Sequence, residues 1–298
     1  MLKTAVIGAS GYIGHHLLKK YRQNFPDCLG TTFSKQASDL KFFDIRSTDI
    51  ETLELEEGGY ESVVIAAGKP NISYCEKEPS NAYEVNVLAT LNLIKKLGQM
   101  SIKIIFLSSD YVFDGVKGNF GDNHFASPNT VYGKHKETVE REILSLKYQV
   151  SVLRLSKIYG LEKGDNTILD EGANLLSQDK KILAATDQFF CPTFIDNLVE
   201  AIFTIQEIDL KGCLNVCSPE KWSRFEIFTK LASLMGKDED LVKKIHLHDL
   251  PEMKGRPLDT SMVCDRLNNK IEINFLSLKD AMLKVAENYN KLKIRVEL

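Results

Sequence analysis

The chain has 298 residues, 43% hydrophobic and 27% charged, an ordinary globular balance with more length than one average domain needs. Its formal net charge of -3 provides no electrostatic attraction for nucleic acid or an anionic membrane, and no run approaches the roughly 20 apolar residues of a membrane-spanning helix. The six cysteines, Cys28, Cys75, Cys191, Cys213, Cys217 and Cys264, lack paired metal-ligand spacing, and the N-terminal apolar run is too short for a signal peptide, so the expected setting is cytoplasmic with reduced thiols.

In chain order, the first half alternates short apolar runs with longer amphipathic ones. Strands are predicted over residues 4–8, 29–33, 40–45, 62–67, 102–108 and 150–155. Helical spacing occupies residues 12–22, 79–97 and 130–146, with a short polar helical segment at 49–56. The strand runs are continuously apolar, as in Ser62-Val63-Val64-Ile65-Ala66-Ala67, which marks strands covered on both faces. This alternation predicts an α/β fold, a Rossmann-type doubly wound parallel sheet with right-handed crossovers.

After Gly160 the rhythm changes. Residues 182–194 are apolar but irregular, 193–205 have helical spacing, and 214–217 and 242–247 read as short strands. Ser223 with Glu226 forms a capping box opening a helix to about residue 235, and a last helix spans 277–292. The expected division is a dinucleotide-binding domain over residues 1–160, with 193–208 packing back onto it. A smaller mixed α/β substrate domain would take 161–298.

The first strand ends in Gly8-Ala9-Ser10-Gly11-Tyr12-Ile13-Gly14, a G-x-x-G-x-x-G turn between a buried strand and an amphipathic helix. Glycines permit the tight turn and a close approach of backbone N–H groups to a pyrophosphate, and the helix N-terminus adds partial positive charge. A carboxylate about 20 residues further on would bind the ribose 2′-hydroxyl of NAD. Here Thr31-Thr32-Phe33-Ser34-Lys35 offers a hydroxyl and a cation instead, which favours NADP over NAD. Asp44 and Ile45 are placed to flank an adenine, and the small residues Ala66, Ala67 and Gly68 let a cofactor lie across the strand ends.

Reduction of a ketone needs a proton donor for the developing alkoxide. A tyrosine whose pKa is lowered by a neighbouring ammonium serves, and residues four apart on a helix share a face. Three Tyr–Lys pairs have that spacing: Tyr132/Lys136, Tyr159/Lys163 and Tyr289/Lys293. Only Tyr132 opens the helix after the fifth strand, downstream of Ser109 at that strand's carboxyl end, where ligands of open α/β sheets gather. Ser109 is then placed to hydrogen-bond the reacting carbonyl, and Lys136 to serve both Tyr132 and the nicotinamide ribose.

Together these residues resemble the extended short-chain dehydrogenase/reductase superfamily, and within it the dTDP-4-dehydrorhamnose reductase family, over nearly the whole chain. Ser108-Ser109-Asp110-Tyr111-Val112-Phe113-Asp114-Gly115 is similar to that family's S-T-D-Y-V-F-D-G run. Pro128-Asn129-Thr130-Val131-Tyr132-Gly133-Lys134-His135-Lys136, with Glu140 beyond, is similar to its catalytic segment. Leu153-Arg154-Leu155-Ser156 with Tyr159-Gly160 resembles the nicotinamide-lining segment, and Val85-Asn86 carries a family asparagine. Asp187-Gln188, Pro192-Thr193 and Arg256-Pro257 resemble the substrate half. The resemblance implies a catalytic triad of Ser109, Tyr132 and Lys136, with Asn86, Ser108 and Ser156 at the cofactor. It implies Asp110, Tyr111, Val112, Phe113, Phe190 and Arg256 at the substrate, and NAD(P)H reduction of a 4-keto sugar nucleotide.

Three departures fall on the substrate side. Phe190 stands where the family has glycine, Asp259-Thr260 where it has Asn-Ser, and Ser73 where it has Asp. They leave the triad intact and the identity of the sugar open. An epimerase or dehydratase on the same fold, and a partner-binding subunit resembling the β subunit of methionine adenosyltransferase, are the alternatives. The six histidines show no convincing ligand spacing, so no metal is expected, although His246 and His248 alternate in a predicted strand. A homodimer is compatible with the sequence.

Overall fold

Four strands open the chain in the computed structural model, which describes residues 1–33, 39–47 and 49–296. They are β1 (Thr4–Ile7), β2 (Thr31–Thr32), β3 (Lys41–Phe42) and β4 (Ser62–Ile65), with α1 (Tyr12–Tyr21) crossing from β1 to β2. Next come α2 (Ile72–Lys77), α3 (Pro79–Tyr83) and α4 (Thr90–Gln99), then β5 (Lys103–Ser109), α5 (Val131–Leu144) and β6 (Val150–Leu155). The second half holds β7 (Ile158–Tyr159), α6 (Ile168–Ser177), β8 (Ile182–Ala185), β9 (Phe189–Phe190), β10 (Thr193–Phe194), α7 (Ile195–Glu207) and β11 (Gly212–Val216). It closes with β12 (Trp222–Ser223), α8 (Arg224–Leu234), β13 (Val242–Ile245), α9 (Asp265–Asn268) and α10 (Leu278–Val296). No helix among the described residues is long and apolar enough to cross a membrane.

The central sheet has five strands in the order β1-β4-β5-β6-β11, every pair parallel. The parallel pair β2-β3 joins it beside β1 through the Val6–Gly30 bridge, which completes the predicted α/β architecture. Because side chains alternate across a strand, Val6, Val64, Ile105, Leu107 and Leu153 pack on one face with α1 and α7. Ala5, Ile7, Val63, Ile104 and Phe106 pack on the other with α4 and α5. A third cluster joins α6, α8 and α10, where Leu278, Met282 and Val285 are buried, each contributing roughly 1.5–3 kcal/mol.

The structure revises several boundaries. The strand read over residues 214–217 with the second half is β11, Gly212–Val216, and it extends the sheet beyond β6. Its exposed edge is covered by α9, and Arg266 donates to the carbonyls of Cys213 and Lys211. Residues 182–194 resolve into three short strands, so the helix expected from 193 begins at Ile195. β13 ends at Ile245, which leaves His246 and His248 in a turn rather than alternating on a strand. The helix predicted over 79–97 is interrupted by a widened π turn at Glu84–Ala89, where the Thr90 hydroxyl donates to the Val85 carbonyl at 3.0 Å. Such turns cluster at functional sites, and this one carries Asn86. The capping box at Ser223 and Glu226 forms as predicted.

Candidate active site

The carboxyl ends of β1, β4, β5 and β6 open into a cleft of about 690 Å³, walled on its far side by residues of the second half. Gly11, Tyr12, Ile13 and Gly14 line it, with Ala66, Ala67 and Gly68 after β4. Gly8 sits beneath with φ +90°, and a Cβ there would lie 2.6 Å from the Ala67 nitrogen. A Cβ on Gly14 would meet the Gly8 carbonyl at 2.3 Å, so the helix can start this close to the strand only with glycine. No side chain caps the N-terminus of α1 and its first turn holds no acid. A strand-to-helix turn with free N–H groups and no carboxylate suits a dinucleotide's pyrophosphate.

Other expected cofactor contacts separate. Asn86 lines the cleft and holds the loop after β4, accepting from the Lys69 nitrogen at 2.7 Å and donating to the Lys69 carbonyl at 3.1 Å. Ser10 is exposed in the turn, off the cleft wall. Ile45 packs in the core, and the Asp44 carboxylate is tied to the Arg46 guanidinium at 2.7 Å, which holds its pKa below the usual range. Ser34 and Lys35 lie outside the described residues.

The predicted triad converges. Ser109 ends β5, and its hydroxyl accepts from the Tyr111 nitrogen at 3.2 Å and donates to Asp110 Oδ1 at 3.0 Å. Tyr132 stands in the first turn of α5, a helix fastened at its start by Thr130, which accepts from the Gly133 nitrogen, and by Glu76, which accepts from the Val131 nitrogen at 2.8 Å. Lys136, one turn on, donates from Nζ to the Leu107 carbonyl at 2.7 Å and lies 4.5 Å from the Phe106 ring centroid. Ser109, Tyr132 and Lys136 all line the cleft. The competing pairs do not: the Tyr159 hydroxyl is buried with no partner among the described residues, and Tyr289 donates to Asp170.

The electrostatics revise one expectation. Burial, reinforced by the charge of Asp110, pushes the Tyr132 phenol well above its ordinary value, which the neighbouring Ser109 hydroxyl offsets only in part. The ammonium does not offset this, because its contact is a carbonyl and its distance to the phenol ring centroid is 5.8 Å. Burial lowers the Lys136 amine to about 8. Tyr132 is therefore firmly protonated, the state a proton donor requires.

Glu140 and Arg154 support this wall from behind. They form a buried pair at 2.8 Å, and Glu140 also accepts from Ser108, fixing that hydroxyl at the strand end. Asp110 is buried, accepts from Ser109, Thr260 (2.8 Å) and Ser156 (3.5 Å), and burial raises its carboxyl to about 6.

On the substrate side, Asp110, Tyr111, Phe190 and Arg256 line the cleft as expected. Val112 and Phe113 do not. Both are completely buried, because the short turn after Ser109 rolls the chain back over the sheet, and Phe113 stacks on Phe120. Gln188 and Thr260, which the resemblance put in the substrate half, line the cleft too, whereas Lys157 and Arg224 were not anticipated as wall residues. Lys157 follows β6 and is findable by the strand-end rule, whereas Arg224 arrives on α8 with no local signal.

The sequence matches the RmlD substrate binding domain over residues 2–291. The chain belongs to that family. A relative from Haloferax volcanii, described as a probable low-salt glycan biosynthesis reductase, Agl14, is 24% identical across 92% of this chain and 94% of its own. The methionine adenosyltransferase 2 subunit beta of Xenopus tropicalis is 23% identical over 89% of this chain and 81% of its own. Among solved structures, dTDP-4-dehydrorhamnose reductase from Bacillus anthracis in complex with NADP superposes with a TM-score of 0.83 at 21% identity, covering 95% of this chain and 98% of that one. At that identity the likeness shows a shared fold, in keeping with an extended short-chain dehydrogenase/reductase.

Proposed function

We propose that this protein is an NADPH-dependent reductase of a 4-keto sugar nucleotide. The observation that carries the reading is the convergence of Ser109, Tyr132 and Lys136 at the end of β5, in a cleft that also receives the uncapped glycine turn of β1. The glycine turn would hold the pyrophosphate of the dinucleotide, with Asn86 and Ser156 at the cofactor, and the bound nicotinamide would supply the hydride. The substrate ketone would sit against Ser109 and Tyr132. Ser109 hydrogen-bonds the carbonyl oxygen, and the Tyr132 phenol delivers its proton there as the carbon gains hydride, so that ketone becomes alcohol. Lys136 anchors the ribose and supplies positive charge as the phenolate forms. The second half, residues 161–298, would hold the nucleotide. The names of the Haloferax and Bacillus proteins support a reductase, and the cation at Lys35 supports NADPH.

The test is NADPH oxidation with dTDP- and UDP-linked 4-keto sugars. Tyr132→Phe is expected to lower turnover by about 10²–10⁴ while leaving NADPH affinity intact. Equal turnover in both forms would overturn the reading. It would leave a partner-binding subunit, the reading favoured by the similarity to methionine adenosyltransferase 2 subunit beta.

A further inference from the structure

The hydroxyl that is read as holding the ketone is already in use. Ser109 has one proton, and it points at Asp110 Oδ1, 3.0 Å away. One of its lone pairs takes the Tyr111 backbone N–H at 3.2 Å. A second lone pair is left, and a ketone oxygen, which has no proton to give, cannot bond to it. While Asp110 is a carboxylate, Ser109 can turn its proton to the substrate only by depriving a buried anion of a donor.

Asp110 can remove that obstacle because its two oxygens are not equivalent. Oδ2 accepts from the Thr260 hydroxyl at 2.8 Å and from the Ser156 hydroxyl at 3.5 Å. Ser156 in turn accepts from the Cys191 backbone N–H at 3.1 Å, so its own proton is free for Asp110. Two donors on Oδ2 leave Oδ1 as the place for an added proton, and Oδ1 is the oxygen that faces Ser109. We propose that Asp110 is a positioning residue whose protonated carboxyl donates from Oδ1 to Ser109 and thereby turns the Ser109 proton onto the substrate ketone. Every bonding position of Ser109 is then filled: Tyr111 N–H and Asp110 O–H on its lone pairs, its proton on the carbonyl oxygen. Asp110 keeps its proton throughout, and the one that ends on the alkoxide comes from Tyr132. This rests on the reading of Ser109 as the group that binds the ketone and adds what sets its direction.

The surroundings fit a carboxyl that changes state in the working range. Asp110 is buried yet lines the cleft, and burial raises it to about 6 against the opposing effect of the three hydroxyls and Lys157. The other titratable groups around it are Tyr111 on its own turn, Tyr132 of α5, Lys157 after β6 and Cys191 after β9. Arg224 and Arg256 bear on Lys157 and Tyr111, Lys136 is held at the Leu107 carbonyl, and Asp259, beside Thr260, is paired with Lys221.

The experiment is the pH profile of kcat/KM for NADPH oxidation with a dTDP- or UDP-linked 4-keto sugar. In the wild type the value should fall about fivefold between pH 6 and pH 7, as a group that must be protonated and titrates near 6 requires. Asp110→Asn puts an amide N–H on Ser109 at every pH, so this step should vanish and leave only the later decline of Lys136, near 8. Ser109→Ala, followed on its residual activity, should lose the step too. Infrared difference spectra of the free protein give a second readout. A carboxylic acid carbonyl band should disappear as pH rises through about 6 and be missing from Asp110→Asn. A wild type without the step, a step of opposite sign, or the absence of that band would overturn the proposal. So would a step that survives in Asp110→Asn, which assigns it to another group, or in Ser109→Ala, which leaves Asp110 acting on Tyr132 by charge alone. If Tyr132→Phe turns over as fast as the wild type, the reductase reading fails and this one with it; a Tyr132-dependent activity without the step sinks this one alone.

Discussion

Replacing Asp110 with asparagine tests the energetics of the cleft directly. The Asp110 carboxyl titrates near 6 in the folded protein against an ordinary 3.8, chiefly because it is buried. At about 1.4 kcal/mol per pH unit, that gap is a penalty of about 3 kcal/mol for holding the charged form at neutral or alkaline pH. A folded pKa raised above the unfolded one favours the fold below the unfolded value and loses that advantage as pH rises through the folded one. Asp110→Asn keeps the shape and one acceptor oxygen, and the hydroxyls that face the replaced oxygen can turn to accept from the amide NH2, since Ser109 bonds one carboxylate oxygen and Thr260 and Ser156 the other. It should therefore raise the melting temperature by about 5 °C at pH 8 for a chain of this size, and by roughly half as much at pH 5. Thermal unfolding followed by circular dichroism at fixed ionic strength reads both values. A gain that does not depend on pH, or a loss at pH 8, would refute the assignment of a buried charge to this position.

Two further outcomes follow from the wall behind the site. Glu140→Gln leaves the Arg154 guanidinium buried without its carboxylate, so the urea midpoint should fall by the equivalent of about 3 kcal/mol; an unchanged midpoint would show that the pair at 2.8 Å contributes nothing. The Lys136 amine, lowered to about 8, loses its charge as pH rises through that value. kcat/KM should therefore decline on the alkaline side with an apparent pKa near 8, and a flat profile from pH 6 to 10 would show that the ammonium is dispensable.

Much of this site was legible before the fold. The turn at Gly8, Gly11 and Gly14 was readable because its spacing and its flanking strand and helix are local. Tyr132 separated from Tyr159 and Tyr289 on position relative to a strand end alone, and the structure places it in the cleft while the other two serve the core. Val112 and Phe113 misled because they are neighbours of Ser109 in sequence. Whether the chain after a strand continues along the cleft or folds under the sheet depends on a turn of three residues. At Asp44 the structure adds a local partner that the sequence reading had not weighed, Arg46, which binds the carboxylate at short range.

What the sequence determined by itself is the periodic part: buried strands alternating with amphipathic helices, the glycine turn, the capping box at Ser223 and the spacing that brings Ser109, Tyr132 and Lys136 to one cleft. Each depends on spacing within a segment, which the backbone repeat converts directly into a shared face. The tertiary structure alone decided that β11 extends the sheet, that the Tyr132 phenol is held protonated by burial, and that Lys157, Arg224 and Arg256 meet on one wall. Those outcomes turn on solvent exclusion and on contacts between residues distant in the chain, and neither leaves a periodic trace in the order of the amino acids.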